Sequence, residues 1–446
     1  MKADDVVNDA LGAEPAALRT AAREAVQQGD MGRAERCYQL LLEVAPGHVE
    51  ALRFVAASHF ARGDAMRAVA MLLTARQEKP DDSATLHQLG AAQSAVGDWQ
   101  DAADNLARCV ELAPRMFVAR LRLGVAFEQL GKVHETLVAY AAAVNTAQAS
   151  GRWMSDATTA PGLRAAVKHA IDRIDSGRRQ LFDAALQPLR QRYGSSEMTR
   201  VEECLAIYLG EKPLAPPDPR QHPKFLYFPG VPSQPYYPRE RFPWQAELEA
   251  HAATIREELR AVLSQPQDLE SFLRTDAPQN TAELLRSSGS GNAAWDAYFF
   301  HRHGERYGEH AAACPRTAAL LDALPLAYVR EHSPETLYSV LRPGTHILPH
   351  RGVTNTRLVT HLPLIVPADC ALRVGGEIHE WQAGCCVTFD DTFEHEAWNR
   401  SGETQVVLIL DSWNPDLTEA ERAAVADLVG AIGDFNRECE LPMPKG

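Results

Sequence analysis

The stretches QQGDMGRAERCY (residues 27–38), ARGDAMRAVAML (61–72), AVGDWQDAADNL (95–106) and QLGKVHETLVAY (129–140) are variants of one text. Gly29, Gly63, Gly97 and Gly131 each lie 34 residues after the one before. Pro46, Pro80 and Pro114 keep the same step, as do Ala34, Ala68 and Ala102, with Thr136 in the fourth register. Each unit reads as two amphipathic helices. Glycine makes the turn between them, and proline stops the second. Small residues at fixed positions predict close helix contact between neighbouring units. A fixed period of this length predicts stacked helix pairs, an all-α solenoid with a concave face.

The pattern resembles the tetratricopeptide repeat and is predicted over residues 14–148. A solenoid face of this kind implies a peptide or protein partner. Residues 149–222 open with a loop, ASGRWMSDATTAPG, and continue with the helical patterns LRAAVKHAIDRI, RRQLFDAALQPLRQRY and MTRVEECLAIYLG. The proline-rich GEKPLAPPDPRQHPKFLYFPG then breaks helices and marks the entry to another domain. At roughly 100–200 residues per domain, 446 residues suit two to four domains. Lys plus Arg number 45 against 59 Asp plus Glu, a net charge of −14, which argues against nucleic acid or an anionic membrane as partner. No apolar run approaches the ~20 residues that span a bilayer. The first residues lack a basic start and apolar core, so a cytoplasmic chain is expected. Eight scattered cysteines without a CxxC pair fit reduced thiols.

After Pro223 the text changes. The segment WQAELEAHAATIREELRAVLSQ predicts one helix. Short β-like runs follow: LYSVLR, RLVTHLPLIV, CALRV, CCVTFDD and TQVVLILDSW, separated by turn signals. Such spacing suggests two sheets enclosing a pocket. LTEAERAAVADLVGAIGDF predicts a closing helix with Thr418 as cap. Three histidines stand out, His350, His361 and His395. Imidazoles near strand ends suit a divalent metal. The usual His-x-Asp pair is absent, because Gly352 stands two residues after His350; on spacing alone, hydrogen-bonded core histidines remain the simpler reading. His301, His303 and His310 read as a solvated helix end, and Cys385–Cys386 as a packing pair on a strand.

The runs YSVLRPGTHILPHRGVTNTRLVTHLPLIVP (338–367), FDDTFEHEAWN (389–399) and LILDSWNP (408–415), with FLYFPGVPSQPYYP (225–238) upstream, resemble the aspartyl/asparaginyl β-hydroxylase family. The resemblance implies a double-stranded β-helix (jelly-roll) domain over 223–437, and a dioxygenase using Fe(II) and 2-oxoglutarate as cosubstrate. Members of that family bind iron through two histidines without a carboxylate, so Gly352 is expected. Residue by residue, the resemblance makes His350 and His395 the iron ligands. Ser339 helps hold the distal carboxylate of 2-oxoglutarate, and His361 lines the cosubstrate pocket. Asp390 and Asp391 are read as turn residues or as carboxylates that orient the ligating imidazoles.

Two positions depart from the family. Gln405 replaces an arginine that pairs with the distal carboxylate, and Val359 replaces an arginine two residues before His361. A glutamine offers only neutral hydrogen bonds where arginine offers a bidentate charged pair. Arg357 lies four residues before His361 and so shares its strand face. It is the candidate cation for cosubstrate or substrate, with Arg342 and Arg373 behind it. The reading is a hydroxylase of an Asp- or Asn-like side chain on a peptide recruited by the repeats. The alternative is a metal-binding adaptor, or an oxygenase with altered cosubstrate use, motivated by Gln405.

Overall fold

The computed structural model describes residues 14–273, 284–287 and 293–440. Most of the N-terminal stretch read above as lacking a basic start and apolar core, up to residue 13, lies outside the described residues. The chain divides into two compact units, one running to Arg179 and resuming at Phe435, the other Gln180–Asp434. Among the described residues no helix is long and apolar enough to cross a membrane, and all eight cysteines are free.

Among the described residues the first unit opens with eight helices in pairs: α1 Pro15–Gln27, α2 Met31–Val44, α3 Val49–Ala61, α4 Ala65–Glu78, α5 Ser83–Val96, α6 Trp99–Leu112, α7 Phe117–Gln129 and α8 Val133–Ala149. The periodic glycines sit in the turn within each pair, at φ between 71° and 89°. L-residues avoid this left-handed region, which is why the position repeats as glycine. The aspartates after Gly29 and Gly63 cap the next helix: Asp30 and Asp64 accept from the backbone N–H of Arg33 and Arg67. Ala34, Ala68 and Ala102 are fully buried and Thr136 nearly so. Gly90 and Gly124 show how close the helices come. A Cβ at either would lie 2.5 Å from Leu106 or 2.4 Å from the Tyr140 ring. The tetratricopeptide reading therefore holds helix by helix.

Two predicted helical patterns, LRAAVKHAIDRI and RRQLFDAALQPLRQRY, form one helix, Arg164–Tyr193, with Pro188 inside it. Conversely, the single helix expected after Pro243 is two, Gln245–Ala250 and Ala252–Leu263, meeting at His251.

The second unit is built on antiparallel strands: β1 Tyr236–Tyr237, β2 Glu270–Ser271, β3 Leu285–Ser287, β4 Trp295–Arg302, β5 Glu305–Arg306, β6 Thr336–Leu341, β7 Thr345–His350, β8 Arg357–Ile365, β9 Cys370–Val374, β10 Glu377–Glu380, β11 Val387–Phe389, β12 His395–Asn399 and β13 Gln405–Trp413. They form two sheets, in the orders β1-β11-β8-β13-β6-β4-β2 and β10-β9-β12-β7-β3, with β5 paired to β4. From β6 to β13 the chain alternates between the sheets, save for the β9–β10 hairpin. One apolar cluster joins Leu341, Val359, Phe389 and Val407 of the first sheet to Ile347, Leu372 and Ala397 of the second, so the sheets face each other.

The first sheet is buried on both faces. On β6, β8 and β13 the residues Tyr338, Val340, Leu362, Leu364, Leu408 and Leu410 pack outward on Ile255, Leu259 and Leu321 of the covering helices. The period of two turns their neighbours inward: Ser339, Arg357, Val359, His361, Gln405, Val407 and Asp411 line a cavity between the sheets. Polar residues thus stand where strand alternation would place core. The closing helix, Glu419–Cys439, carries the expected cap reciprocally: Thr418 Oγ1 accepts from Glu421 N–H, and Glu421 Oε2 accepts from Thr418 N–H.

The reading of His301, His303 and His310 as a helix end holds for His310, in the last turn of the helix Gly308–Ala313, and is corrected for His301 and for His303, which lies in the turn between β4 and β5. His301 lies on β4, is buried, and its Nδ1 is 2.9 Å from Thr336 Oγ1. His310 stacks on Tyr298 at 3.9 Å. The aromatic run Tyr298–Phe300 suits a strand, and it decides the segment. Cys385 and Cys386 precede β11 rather than lying on it, and Cys386 N–H donates to Glu249.

Candidate functional site

His350 ends β7 and His395 begins β12. They are direct partners across the antiparallel ladder, so residues 45 positions apart in the chain close to a ring-centroid separation of 4.1 Å. Each Nδ1 faces the carbonyl two residues back, Leu348 O at 2.8 Å and Phe393 O at 3.1 Å. A carbonyl only accepts, so both Nδ1 atoms carry the proton and both Nε2 lone pairs remain free. Burial lowers the pKa of both imidazoles, that of His395 to about 4. Neutral rings with fixed tautomers and free Nε2 atoms suit a divalent metal. Among the described residues no set of three or more His, Cys, Asp or Glu converges as a metal cluster, so the two imidazoles stand as a pair.

A carboxylate stands beside them. A Cβ built on Gly352 would lie 2.0 Å from Asp391 Cγ. The space that a side chain two residues after His350 would need is occupied by Asp391. Its Oδ2 pairs with Arg357 Nη2 at 3.1 Å, while its buried Oδ1 has no partner. Asp390, next to it, is turn chemistry: it accepts from Thr392 and from Gln221, and burial raises its pKa to about 7.

Arg357 does share the inward face with His361, as strand alternation predicts. Its guanidinium is held between two carboxylates, Asp391 and Asp411, each at 3.1 Å. Burial raises the pKa of Asp411 to about 6, with Arg357 opposing that shift. Neither Arg342 nor Arg373 lines the cavity. Arg342 pairs with Asp296, and Arg373 with Glu396.

The opposite end of the cavity is different. Ser339 Oγ accepts from Trp295 Nε1 at 2.8 Å, and Trp295 stacks on Phe272 at 3.8 Å. Gln405, 2% exposed, opposes Leu341 across the ladder. Its Nε2 donors have no partner. Asp411, beside Arg357, is six residues further along β13, roughly 20 Å at the rise of an extended strand. Arg357 therefore serves the end away from Gln405. His361 lies between, its ring edge-on to Phe389 at 5.0 Å. Burial holds its pKa near 3, and its Nδ1 is also unpartnered.

Four buried unpartnered atoms meet here. His361 Nδ1, Trp381 Nε1, Asp391 Oδ1 and Gln405 Nε2 all belong to residues lining this cavity. Buried polar groups are nearly always satisfied, so the concentration marks a place for a ligand. Sequence reasoning missed Trp381 and Asp411. For Asp411 a signal existed: a charge at an inward position of the apolar run VVLIL.

The chain thus carries a tetratricopeptide solenoid and a two-sheet domain with a paired-histidine cavity. The profile of the aspartyl/asparaginyl beta-hydroxylase family matches residues 249–415, and a tetratricopeptide profile matches 19–83. Aspartate beta-hydroxylase domain-containing protein 2 of Rattus norvegicus is 32% identical over 255 residues, 56% of this chain and 70% of the relative. Its Xenopus tropicalis counterpart is 32% identical over 247 residues, 54% of this chain and 63% of the relative. The Homo sapiens aspartyl/asparaginyl beta-hydroxylase is 27% identical over 356 residues, 78% of this chain but 40% of the relative. The chain belongs to the aspartyl/asparaginyl beta-hydroxylase family. It spans less than two thirds of the length of two of these three relatives.

Proposed function

We propose that the chain is an iron(II)-dependent, 2-oxo-acid-driven dioxygenase that hydroxylates an Asp- or Asn-like side chain of a peptide brought by the repeats. On this reading the two sheets are a double-stranded β-helix. The observation that carries the reading is the pair His350 and His395, with both Nδ1 protons fixed on carbonyls and both Nε2 atoms free. The chemistry such a centre supplies when bound is the division of dioxygen between decarboxylation of the oxo acid and hydroxylation of a C–H bond.

The chain's own residues do the rest. His350 and His395 would hold the metal. Asp391 acts on both rings electrostatically, and its buried, unpartnered Oδ1 is left to accept a hydrogen bond from a bound ligand. Phe389, Trp381 and the surrounding apolar side chains exclude bulk water. Arg357 is anchored by Asp391 and Asp411, and its remaining N–H donors orient the substrate carbonyl. A second, larger cavity shares Glu335, Arg357 and Asp411 with the first at that end, and Phe272 beside Trp295, and gives the substrate its entry.

For 2-oxoglutarate the fit is divided. The metal pair suits the 2-oxo acid end. At the far end Ser339 and Gln405 offer hydroxyl and amide donors, and no Lys or Arg stands there among the described residues. Gln405 thus favours altered cosubstrate use over the family's usual pattern.

The test is anaerobic Fe(II) titration of the full chain and of His350→Ala and His395→Ala, followed by mass measurement of Asn- and Asp-containing peptides in air. One equivalent of iron lost in both variants, with a gain of one oxygen in a peptide, is expected. Iron binding that survives both substitutions refutes the site. Iron binding without any hydroxylation across the peptides favours the adaptor reading.

A further inference from the structure

Among the described residues, the end of the cavity around Gln405 is walled mainly by apolar side chains. Trp295, Leu341, Ile347, Leu372, Ala397 and Val407 form its wall. Among the described residues lining the cavity, Arg357 is the only Lys or Arg. It is held by two aspartates, Asp391 and Asp411, and Asp411 stands six residues along β13 from Gln405, roughly 20 Å by strand rise. The Ser339 hydroxyl takes the Trp295 N–H and keeps one proton to give. Gln405 Nε2 is buried and unpartnered. Its two N–H donors suit a neutral acceptor, such as an amide or ester carbonyl oxygen, which leaves no buried donor unmet. A carboxylate buried there would lose its hydration without gaining a cation.

From this wall we infer that the cosubstrate is a 2-oxo acid whose far end is uncharged, and that Gln405 is the residue that selects it. The class is the 2-oxo acids that correspond to neutral amino acids. The inference rests on the metal and 2-oxo acid reading given above and narrows it. The reaction balances without any further reductant. The C1–C2 bond of the oxo acid breaks, CO2 leaves, and one oxygen atom of O2 completes the carboxylic acid one carbon shorter. The other oxygen enters the substrate C–H bond as hydroxyl.

The test is binding rather than turnover. The chain loaded anaerobically with Fe(II) is titrated calorimetrically with 2-oxoglutarate and with its 5-methyl ester, which keeps the backbone and a far-end carbonyl but has one carboxylate. The wild type is expected to bind the monocarboxylate at least tenfold more tightly. Gln405→Arg is expected to gain at least tenfold for 2-oxoglutarate and to lose the preference. The wild-type comparison stands by itself if that variant does not fold. Equal or tighter binding of 2-oxoglutarate by the wild type overturns the inference, as does iron binding with no affinity for either acid. Failure to bind iron at all removes the underlying reading, and this one with it, and is recognised in the metal titration that precedes.

Discussion

Replacing Gly352 by alanine tests whether Asp391 occupies the place left by a missing ligand side chain. The new Cβ would lie 2.0 Å from Asp391 Cγ, and 2.1 and 2.2 Å from its oxygens. Carbon atoms settle at about 3.5–4.0 Å, so the carboxylate must retreat by more than about 1 Å. Asp391 sits in a pair with Arg357 at 3.1 Å, with side chains only 9% and 15% exposed. Removing a partner from a buried ion pair costs about 3–5 kcal/mol. Asp411 still holds the guanidinium at 3.1 Å, so we expect the lower part, about 2–3 kcal/mol. The measurement is urea unfolding of the metal-free chain with chelator present, completed as a cycle with Asp391→Ala and the double variant. With the carboxylate gone, the extra methyl fits, and Gly352→Ala should cost less than about 0.5 kcal/mol in that background. A coupling of about 2 kcal/mol is the signature of direct competition for one space. Equal costs in both backgrounds would refute the account.

The glycines of the repeats should separate by mechanism. Gly97→Ala meets only backbone strain, because nothing lies within 4 Å of a Cβ there, and should cost about 1 kcal/mol. Gly124→Ala drives a methyl into Tyr140 at 2.4 Å and should cost about 1–3 kcal/mol; thermal unfolding that ranks the two the other way contradicts this. His87 accepts from Arg122 Nη1 through Nε2 at 2.8 Å and is therefore neutral. Burial first, then Arg122 and Arg53, lower its pKa to about 4, against about 6.5 unfolded. Between those values the unfolded chain binds more protons, so stability is full above about pH 6.5 and falls as pH drops toward 4. His87→Gln should shrink the difference in urea midpoint between pH 7 and pH 5; an unchanged difference places that pH dependence elsewhere. Thr418→Ala removes the cap of the closing helix and should lower stability by about 1 kcal/mol, read by denaturant titration; no change would show that Glu421 caps unaided.

What was legible in the sequence was whatever repeats at short range. The 34-residue step fixed the solenoid because glycine, alanine and proline each answer a local demand of the same turn or contact. Strand period placed Arg357 and His361 on one face for the same reason. β4 was misread because His301 and Arg302 at its C-terminal end, with His303 just beyond, outweighed Tyr298, Phe299 and Phe300 by their polarity. The site's electrostatics were not legible at all. Arg357 meets Asp411 across 54 positions and Ser339 meets Trp295 across 44; neither distance leaves a periodic trace. Gln405 could be flagged from the family pattern, but whether another cation replaced its charge was a question for the fold.

Gly352 and Asp391 explain each other. A facial arrangement of two imidazoles and a carboxylate needs an acid two residues after the first histidine. Here that position has no side chain, and an acid four residues before the second histidine fills its volume. The exchange has a consequence for charge. An aspartate at 352 would hold the metal directly, whereas Asp391 is anchored by Arg357 and keeps one oxygen free. Arg357 is thereby tied to the metal end through one carboxylate and to β13 through another. With its charge matched twice over, it is a poor counter-ion for a carboxylate entering from the larger cavity, and a good donor to a neutral carbonyl. Both ends of the cavity then favour uncharged groups, through Gln405 at one and through the doubly paired Arg357 at the other.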